Sequence, residues 1–553
     1  MGQPSKVGRP RPRGVDRWKV VAGIAVLAMV ALAACGGGGD RAASGTAHKG
    51  SGGTLRIAMS AGNIPFPATP PNEGYEGYRF VGNNIYDGLT RLNVEQAKEI
   101  ATPHPALATS WRISPDKLTW TFTLREGVTF HDGTPFDADA VLFQFERVKN
   151  PGFELYADVD APRYATYFRY FRTWKKIDDH TVALTTTQPY AWVLWDLAHI
   201  YFPSPTAVRK YGNDNYNAHA SGTGPFRMTK YVDGEVMELS ANEKYWRGRP
   251  KLDKIVLYPQ PEAAARMSAL QSAEVDWAEV PSPDALDQLK GDGFRIYLGK
   301  YPHGIMPRFN MFRPPFKGNL KLRQALNYAL DREGTAALIN NVGYPAKQYV
   351  YQGHPDYDSS FPGYTYDPAK AKRLLAEAGY RPGELKLTMG YTTGGSGNMF
   401  PEPMMQKLQA DFKAVGVDVE LKPMEWNTLI TVGLEGLDKQ QWSDIDILWA
   451  SPAAGMTPNG YSTTFLCERP GGLPNAAGMC NPDVDRNYLA AASSFDQKQS
   501  QADLRAMMDA ALKDADFLFW MHDLNLRVMS PKVHGYVQPK SWWVDFTKIW
   551  VEE

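Results

Sequence analysis

Between Trp111 and Leu124 apolar and polar residues alternate, with Trp111, Leu118, Trp120, Phe122 and Leu124 on the apolar side and a turn at residues 114–117. That period-two pattern predicts a pair of half-buried strands. A second turn follows, His131-Asp132-Gly133-Thr134-Pro135, and Asp137 and Asp139 stand where a helix N-cap is expected. Further strands are predicted at TLRIAMS from Thr54 and at KIVLYPQ after Asp253. Residues 262–274 predict a helix that leads into a short strand at Val275-Asp276-Trp277, and strand, helix, strand in this order indicates a parallel unit. In residues 322–331 the stripe Leu322, Ala325, Leu326, Ala329 and Leu330 predicts an amphipathic helix. Asp367 caps the next helix, which has Pro368 in its first turn and stops at Gly379. LKLTMGYTT, a helix over 404–415, VDVELKPM and IDILWAS continue the alternation of strand and helix.

At 553 residues and 43% hydrophobic composition, the chain is long enough for two or three domains, each with its own core. Aromatic residues reach 12%, including 15 Trp and 28 Tyr, more than packing alone requires. Large rings also suit pockets that take polar ligands with apolar faces. Basic and acidic side chains balance at 60 each, so no basic field points to nucleic acid.

The N-terminus changes that balance. Lys6, Arg9, Arg11, Arg13, Arg17 and Lys19 form a basic region, and residues 20–34 are apolar, the length of a signal-peptide core rather than of a membrane span. The run ends in Leu32-Ala33-Ala34-Cys35, which looks like a bacterial lipobox. Cleavage before Cys35 would remove residues 1–34, leave the remainder mildly acidic, and place acyl chains on Cys35 that hold the protein at the outer face of the cytoplasmic membrane. Residues 35–53, rich in Gly, Ser and Ala, read as a flexible tether. Cys467 and Cys480 lie in a Pro- and Gly-rich loop with no partners at metal spacing, so no metal site is expected. In an exported chain a disulfide is their simplest use, two free thiols being the alternative.

The stretch from Pro105 to Val148 resembles the signature of the family 5 extracytoplasmic solute-binding proteins, the peptide-, nickel- and oligosaccharide-binding receptors that feed ABC importers. Leu107, Ala108, Ser110, Trp111, Phe130, His131, Asp132, Gly133, Thr134 and Phe136 stand in the places that carry the resemblance. It continues through Asn242, Tyr245, Trp246, Leu252 and Asp253 and covers almost everything from Thr54 onward. It implies an α/β, two-lobed periplasmic-binding-protein type II fold with an additional inserted domain. Lobe I would comprise residues 54–86, 222–301 and 523–553, the inserted domain 87–221, and lobe II 302–522.

No zinc-protease motif, P-loop or CxxC occurs, and the Ser221-Gly222-Thr223-Gly224-Pro225 stretch reads as a tight crossing rather than a phosphate loop. His131 beside Asp132 is read as structural rather than as a catalytic dyad, because neighbours in a loop rarely face one substrate atom. The chain is therefore read as a binder with no cofactor, not an enzyme. Peptide-binding members of the family place an aspartate after a tryptophan and two small residues to grip the ligand's ammonium; here the run is Trp449-Ala450-Ser451-Pro452. Proline cannot pair with an ammonium, so another acid serves or the ligand lacks a free amine there. Trp449, Asn310, Tyr391 and the loop about Asn63 are the expected cleft residues, each at a strand end or lobe crossing. The expected role is capture of oligopeptides or peptide-like solutes by a monomer working with an ABC permease and ATPase. An oligosaccharide receptor is the alternative, with a surface hydrolase or a sensory lipoprotein behind it.

Overall fold

A computed structural model describes residues 50–62, 64, 75–469 and 472–553. The signal-like segment 1–34, Cys35, most of the tether and Asn63 lie outside the described residues.

Four sheets position everything else. In the seven-stranded sheet Thr54–Met59 runs parallel to both neighbours, Lys254–Pro259 and Trp277–Glu279, and the outer strands are antiparallel. The strand-helix-strand unit is thus parallel, with Thr54–Met59 inserted between its two strands. Leu55 and Ile57 on this sheet share a core with Trp543, Phe546 and Ile549 near the C-terminus. A four-stranded antiparallel sheet, Ala108–Ile113, Thr119–Leu124, Thr181–Thr186 and Phe171–Asp178, is built from the alternating stretch. Trp111 pairs with Phe122 and Ile113 with Trp120, so Trp120 and Phe122 stack in the core while the polar positions face out. Asp137 caps the helix Ala138–Lys149, its carboxylate accepting from Ala140 N at 3.1 Å.

The third sheet orders Arg308–Phe309, Ile447–Leu448, Leu385–Thr392 and Val417–Met424; the last three strands are parallel and the first antiparallel. Its helices differ in detail from the pattern-based expectation. The helix expected over 322–331 runs Leu320–Ala329 and is capped by Asn319. Asp331 lies beyond it and caps a separate helix, Arg332–Leu338, because its carboxylate accepts from Gly334 N at 2.9 Å. The helix expected over 404–415 runs Pro401–Ala414, since Pro401 supplies a first-turn residue whose missing N–H costs nothing there.

The chain passes between the seven-stranded and third sheets twice, and the two crossings pair with each other. Gly304–Ile305 and Met521–Asp523 are antiparallel neighbours in a small sheet completed by Gly343–Pro345. Cys467 and Cys480 form a disulfide just before the helix Pro482–Ser493.

Candidate functional site

The crossing strands hold a buried polar network. Asp523 accepts from Tyr301 Oη and pairs with His303 Nδ1, both at 2.9 Å, and the Tyr301 ring stacks on those of His303 and Trp542, which meet each other at a tilt. Next to it, Arg79 Nη1 lies 2.8 Å from Glu279 Oε2, with its guanidinium 4.3 Å over the Trp542 ring. Arg527 flanks the other oxygen of Glu279, which also accepts from Trp277 Nε1 at 2.6 Å. Two arginines and two glutamates are thereby withdrawn from water together, and both arginines face Glu279, which offsets part of that cost.

Glu76 is the fourth of these charges and reaches the carboxyl end of Thr54–Met59. Its carboxylate accepts from Ala61 N at 2.7 Å and from Ser60 N and Oγ at 3.1 and 3.0 Å. Burial, and then the Glu279 charge, push its carboxyl above the ordinary range, against the pull of Arg79 and Ser60. The Glu76 N–H donates to Ser396 Oγ at 3.2 Å, which ties this end of the first sheet to the loop that leaves the third.

That loop, Thr392-Thr393-Gly394-Gly395-Ser396-Gly397-Asn398, carries only small or short polar side chains beside its glycines. A Cβ at Gly395 would stand 2.5 Å from the Trp426 ring, and one at Gly397 3.1 Å from His303 Nε2. Both glycines also have positive φ, so the chain can thread flat between those rings only with glycine. A Gly-Gly-Ser-Gly run directly after a strand was the available signal for this loop. Glu76 and Ser396 carried no signal, because their pairing spans 320 residues.

The residues singled out from sequence divide into two groups. Tyr391 ends the strand Leu385–Thr392, and Trp449 follows the adjacent parallel strand Ile447–Leu448, so both lie at one edge of the third sheet. Trp449 is buried, donates from Nε1 to Asn398 Oδ1 at 2.7 Å and meets Trp520 edge-on. Asn310 is not brought to this edge. Its strand is antiparallel, so it lies beside Asp446 at the far end, where Nδ2 donates to Ile445 O at 2.9 Å and Oδ1 accepts from Phe312 N at 3.2 Å. Asp444 and Asp446 are at that far end too, held by Lys422 and by Arg313 and Thr388 N. Neither stands in for an acid at Pro452, whose carbonyl accepts from Gly304 N of the crossing strand at 3.2 Å. His131 is structural: it bridges Gly222 N and Gly224 O, and burial lowers its ring to about 4.

Three residues past Pro452 the chain lines a cavity of about 630 Å³. Its walls come from the antiparallel unit (Trp192, Trp195), from residues 351–356 and 455–458, and from residues 494–504. Beside it Asn459 Nδ2 donates to Asp196 Oδ1, joining segments 263 residues apart. Among the described residues no group of His, Cys, Asp and Glu is placed to hold a metal, and no helix is long and apolar enough to cross a membrane.

Comparison with known proteins places residues 102–472 in a match to the model described as bacterial extracellular solute-binding proteins, family 5 Middle. The chain is 30% identical over 491 residues to heme-binding protein A of Haemophilus influenzae, covering 83% of this chain and 86% of that protein. It is 27% identical over 516 residues to the dipeptide-binding protein of Escherichia coli, covering 88% and 94%. Among solved structures it superimposes on the ABC transporter-associated periplasmic binding protein DppA of Helicobacter pylori, in complex with the peptide STSA. There the TM-score is 0.79 at 25% identity, over 91% of this chain and 99% of that one.

Proposed function

The chain belongs to the bacterial extracellular solute-binding proteins of family 5, and from that premise we propose that it is the receptor of an ABC importer for peptides or peptide-like solutes. In this reading the seven-stranded sheet with the C-terminal segment is one lobe and the third sheet with its helices is the other. The paired crossing strands are the hinge, and the antiparallel unit is an inserted domain. The solute lies where the carboxyl ends of Thr54–Met59, Leu385–Thr392 and Ile447–Leu448 converge, with Tyr391 and Trp449 at that edge. Cys35 carries the lipid that holds the receptor beside its permease and ATPase.

The observation that carries this reading is the double crossing, Gly304 against His522 and Ile305 against Met521, set between two sheets whose strand ends face a shared loop contact at Glu76 and Ser396. A two-strand connection lets the halves rotate without breaking either sheet. Pro452 favours one second reading, an oligosaccharide ligand, since sugars stack on rings and need no charged clamp. A thermal-shift screen of di- to hexapeptides against cello- and xylo-oligosaccharides separates the two, because a ligand that binds only the folded state raises the melting temperature by mass action. Peptide-dependent shifts are expected. Shifts with sugars alone would replace the peptide reading, and release of a cleaved product would remove the receptor reading altogether.

A further inference from the structure

The cavity of about 630 Å³ falls within the size range of pockets that enclose organic ligands. Most polar groups of its inner wall are already engaged; the exception is the buried Tyr351 hydroxyl, which has no hydrogen-bond partner among the described residues. Asp356 accepts from Tyr461 Oη at 2.6 Å on one oxygen and from Gln501 on the other. His354 bonds Gly455 O through Nε2 at 2.9 Å and accepts from Asp356 N through Nδ1 at 3.1 Å. Ser500 Oγ donates to Ala491 O. These polar groups are all spent inside the protein, so a charged or strongly polar ligand group placed against them would lose its water and gain nothing in return.

Apart from that hydroxyl, what the inner cavity offers is apolar. Trp192, Met456 and Leu504 are buried behind its wall, and Trp195 and Phe495 present ring surface to it. Phe495 is 36% exposed although it is held in place by stacking on Trp120 and by Lys117 over its ring. A fixed, uncovered ring is a surface that gains from being covered. The charged side chains Lys98, Glu99 and Lys540 also line the cavity, and Lys98 and Glu99 are exposed to solvent.

We propose that this chamber is a specificity pocket that takes a bulky, ring-bearing or apolar group of the bound solute. The proposal rests on the reading of a peptide-like ligand anchored near Trp449 and Pro452, from which the chamber begins three residues on. Because its walls come from the antiparallel unit and from the second lobe, an occupant touches both, and filling it favours their contact.

The test is calorimetric titration of the full mature chain with N-acetyl-Ala-X-Ala-amide, where X is Trp, Gly or Glu, and separately with N-acetyl-tryptophanamide. The Trp peptide is expected to bind at least about tenfold tighter than the Gly peptide, as burial of one aromatic side chain provides, and the Glu peptide no better than Gly. Trp195→Ala removes a wall ring, and Gln497→Trp fills the chamber from its exposed rim. Both are expected to cut the preference to under threefold while the melting temperature of the unliganded protein reports that each still folds. Equal affinities for Trp and Gly, a preference for Glu, or a Trp preference untouched by either variant overturns the proposal. N-acetyl-tryptophanamide separates the two readings. If it binds, in a manner weakened by Gln497→Trp, while no peptide does, the chamber stands and the peptide reading falls; if neither it nor the Trp peptide binds, the chamber falls.

Discussion

The antiparallel unit meets the rest of the molecule at two junctions of opposite kinds. Toward the seven-stranded sheet the contact is held by many directional bonds. Asp87 accepts from Thr223 Oγ1, Tyr245 Oη and Trp246 Nε1 at 2.9–3.0 Å, Tyr201 donates to Asn83, and His131 grips the Gly222–Gly224 crossing. The backbone passes so close here that a Cβ on Gly222 would stand 2.1 Å from Ile85 O. Toward the helix Pro482–Ser493 the contact is apolar and incomplete. Ala191 N donates to Ala492 O, Trp192 meets Tyr488 edge-on, one buried acid meets one amide at Asp196 and Asn459, and the chamber remains beside them. The first junction holds both covalent crossings and several directional bonds, so it is built to stay. The second has few directional bonds to break, so it is built to part.

The largest expected effect is at the first junction. Asp87→Ala leaves two buried donors and the half-buried Trp246 Nε1 without an acceptor and is expected to destabilise by about 3–5 kcal/mol in urea unfolding; a loss below about 1 kcal/mol would erase the contrast between the junctions. Next comes the support of the second junction. Cys467→Ser opens a loop whose cysteines are 13 residues apart and frees the start of the helix that carries Tyr488. About 3 kcal/mol of stability should go with it, and limited proteolysis should cut first within residues 468–480.

Acid loosens the first junction. His199 packs among Tyr78, Tyr167 and Trp543, and burial lowers its ring from 6.5 to about 4. The unfolded chain takes up that proton first, so the contribution is whole above pH 6.5 and is lost as pH falls toward 4. Between pH 7 and 5 the loss is about 2 kcal/mol, and His199→Gln should flatten that part of the stability profile; an unchanged profile contradicts the assignment.

The smallest effect has the opposite sign. Burial holds the Asp196 carboxyl well above its ordinary 3.8, offset in part by Asn459 and Tyr190. The folded form therefore binds the extra proton, and this contribution, present at low pH, is lost as pH rises. Asp196→Asn keeps an acceptor for Asn459 without titrating. It should stabilise by about 1 kcal/mol at pH 8 and by nothing near pH 4, and a gain at both would mean that the carboxylate is not what weakens this junction.

Trp111 to Leu124, the Asp137 cap, the Asp367 cap and the strand-helix-strand unit from Lys254 to Trp277 were legible because each depends on nearby residues, through alternation, capping and turn chemistry, whereas the insertion of Thr54–Met59 between the two strands of that unit was not. The match to a known family was legible there too, since the signature lies in that hairpin and turn. Asn310 marks the limit of such reading: a strand end can be read locally, but which end of the sheet it reaches depends on whether the strand runs parallel or antiparallel.

The sequence by itself determined the strands and helices that its periodicity and caps mark, the two-lobed architecture implied by resemblance, and the absence of an acid at Pro452. Only the tertiary structure decided the partners of Glu76, Arg79 and Asp196 and the existence of the chamber. Those pairings span up to 320 residues, and at such separations no local propensity acts. What selects them is the shared need of buried polar and charged groups for partners, and that need is met only once the sheets have come together.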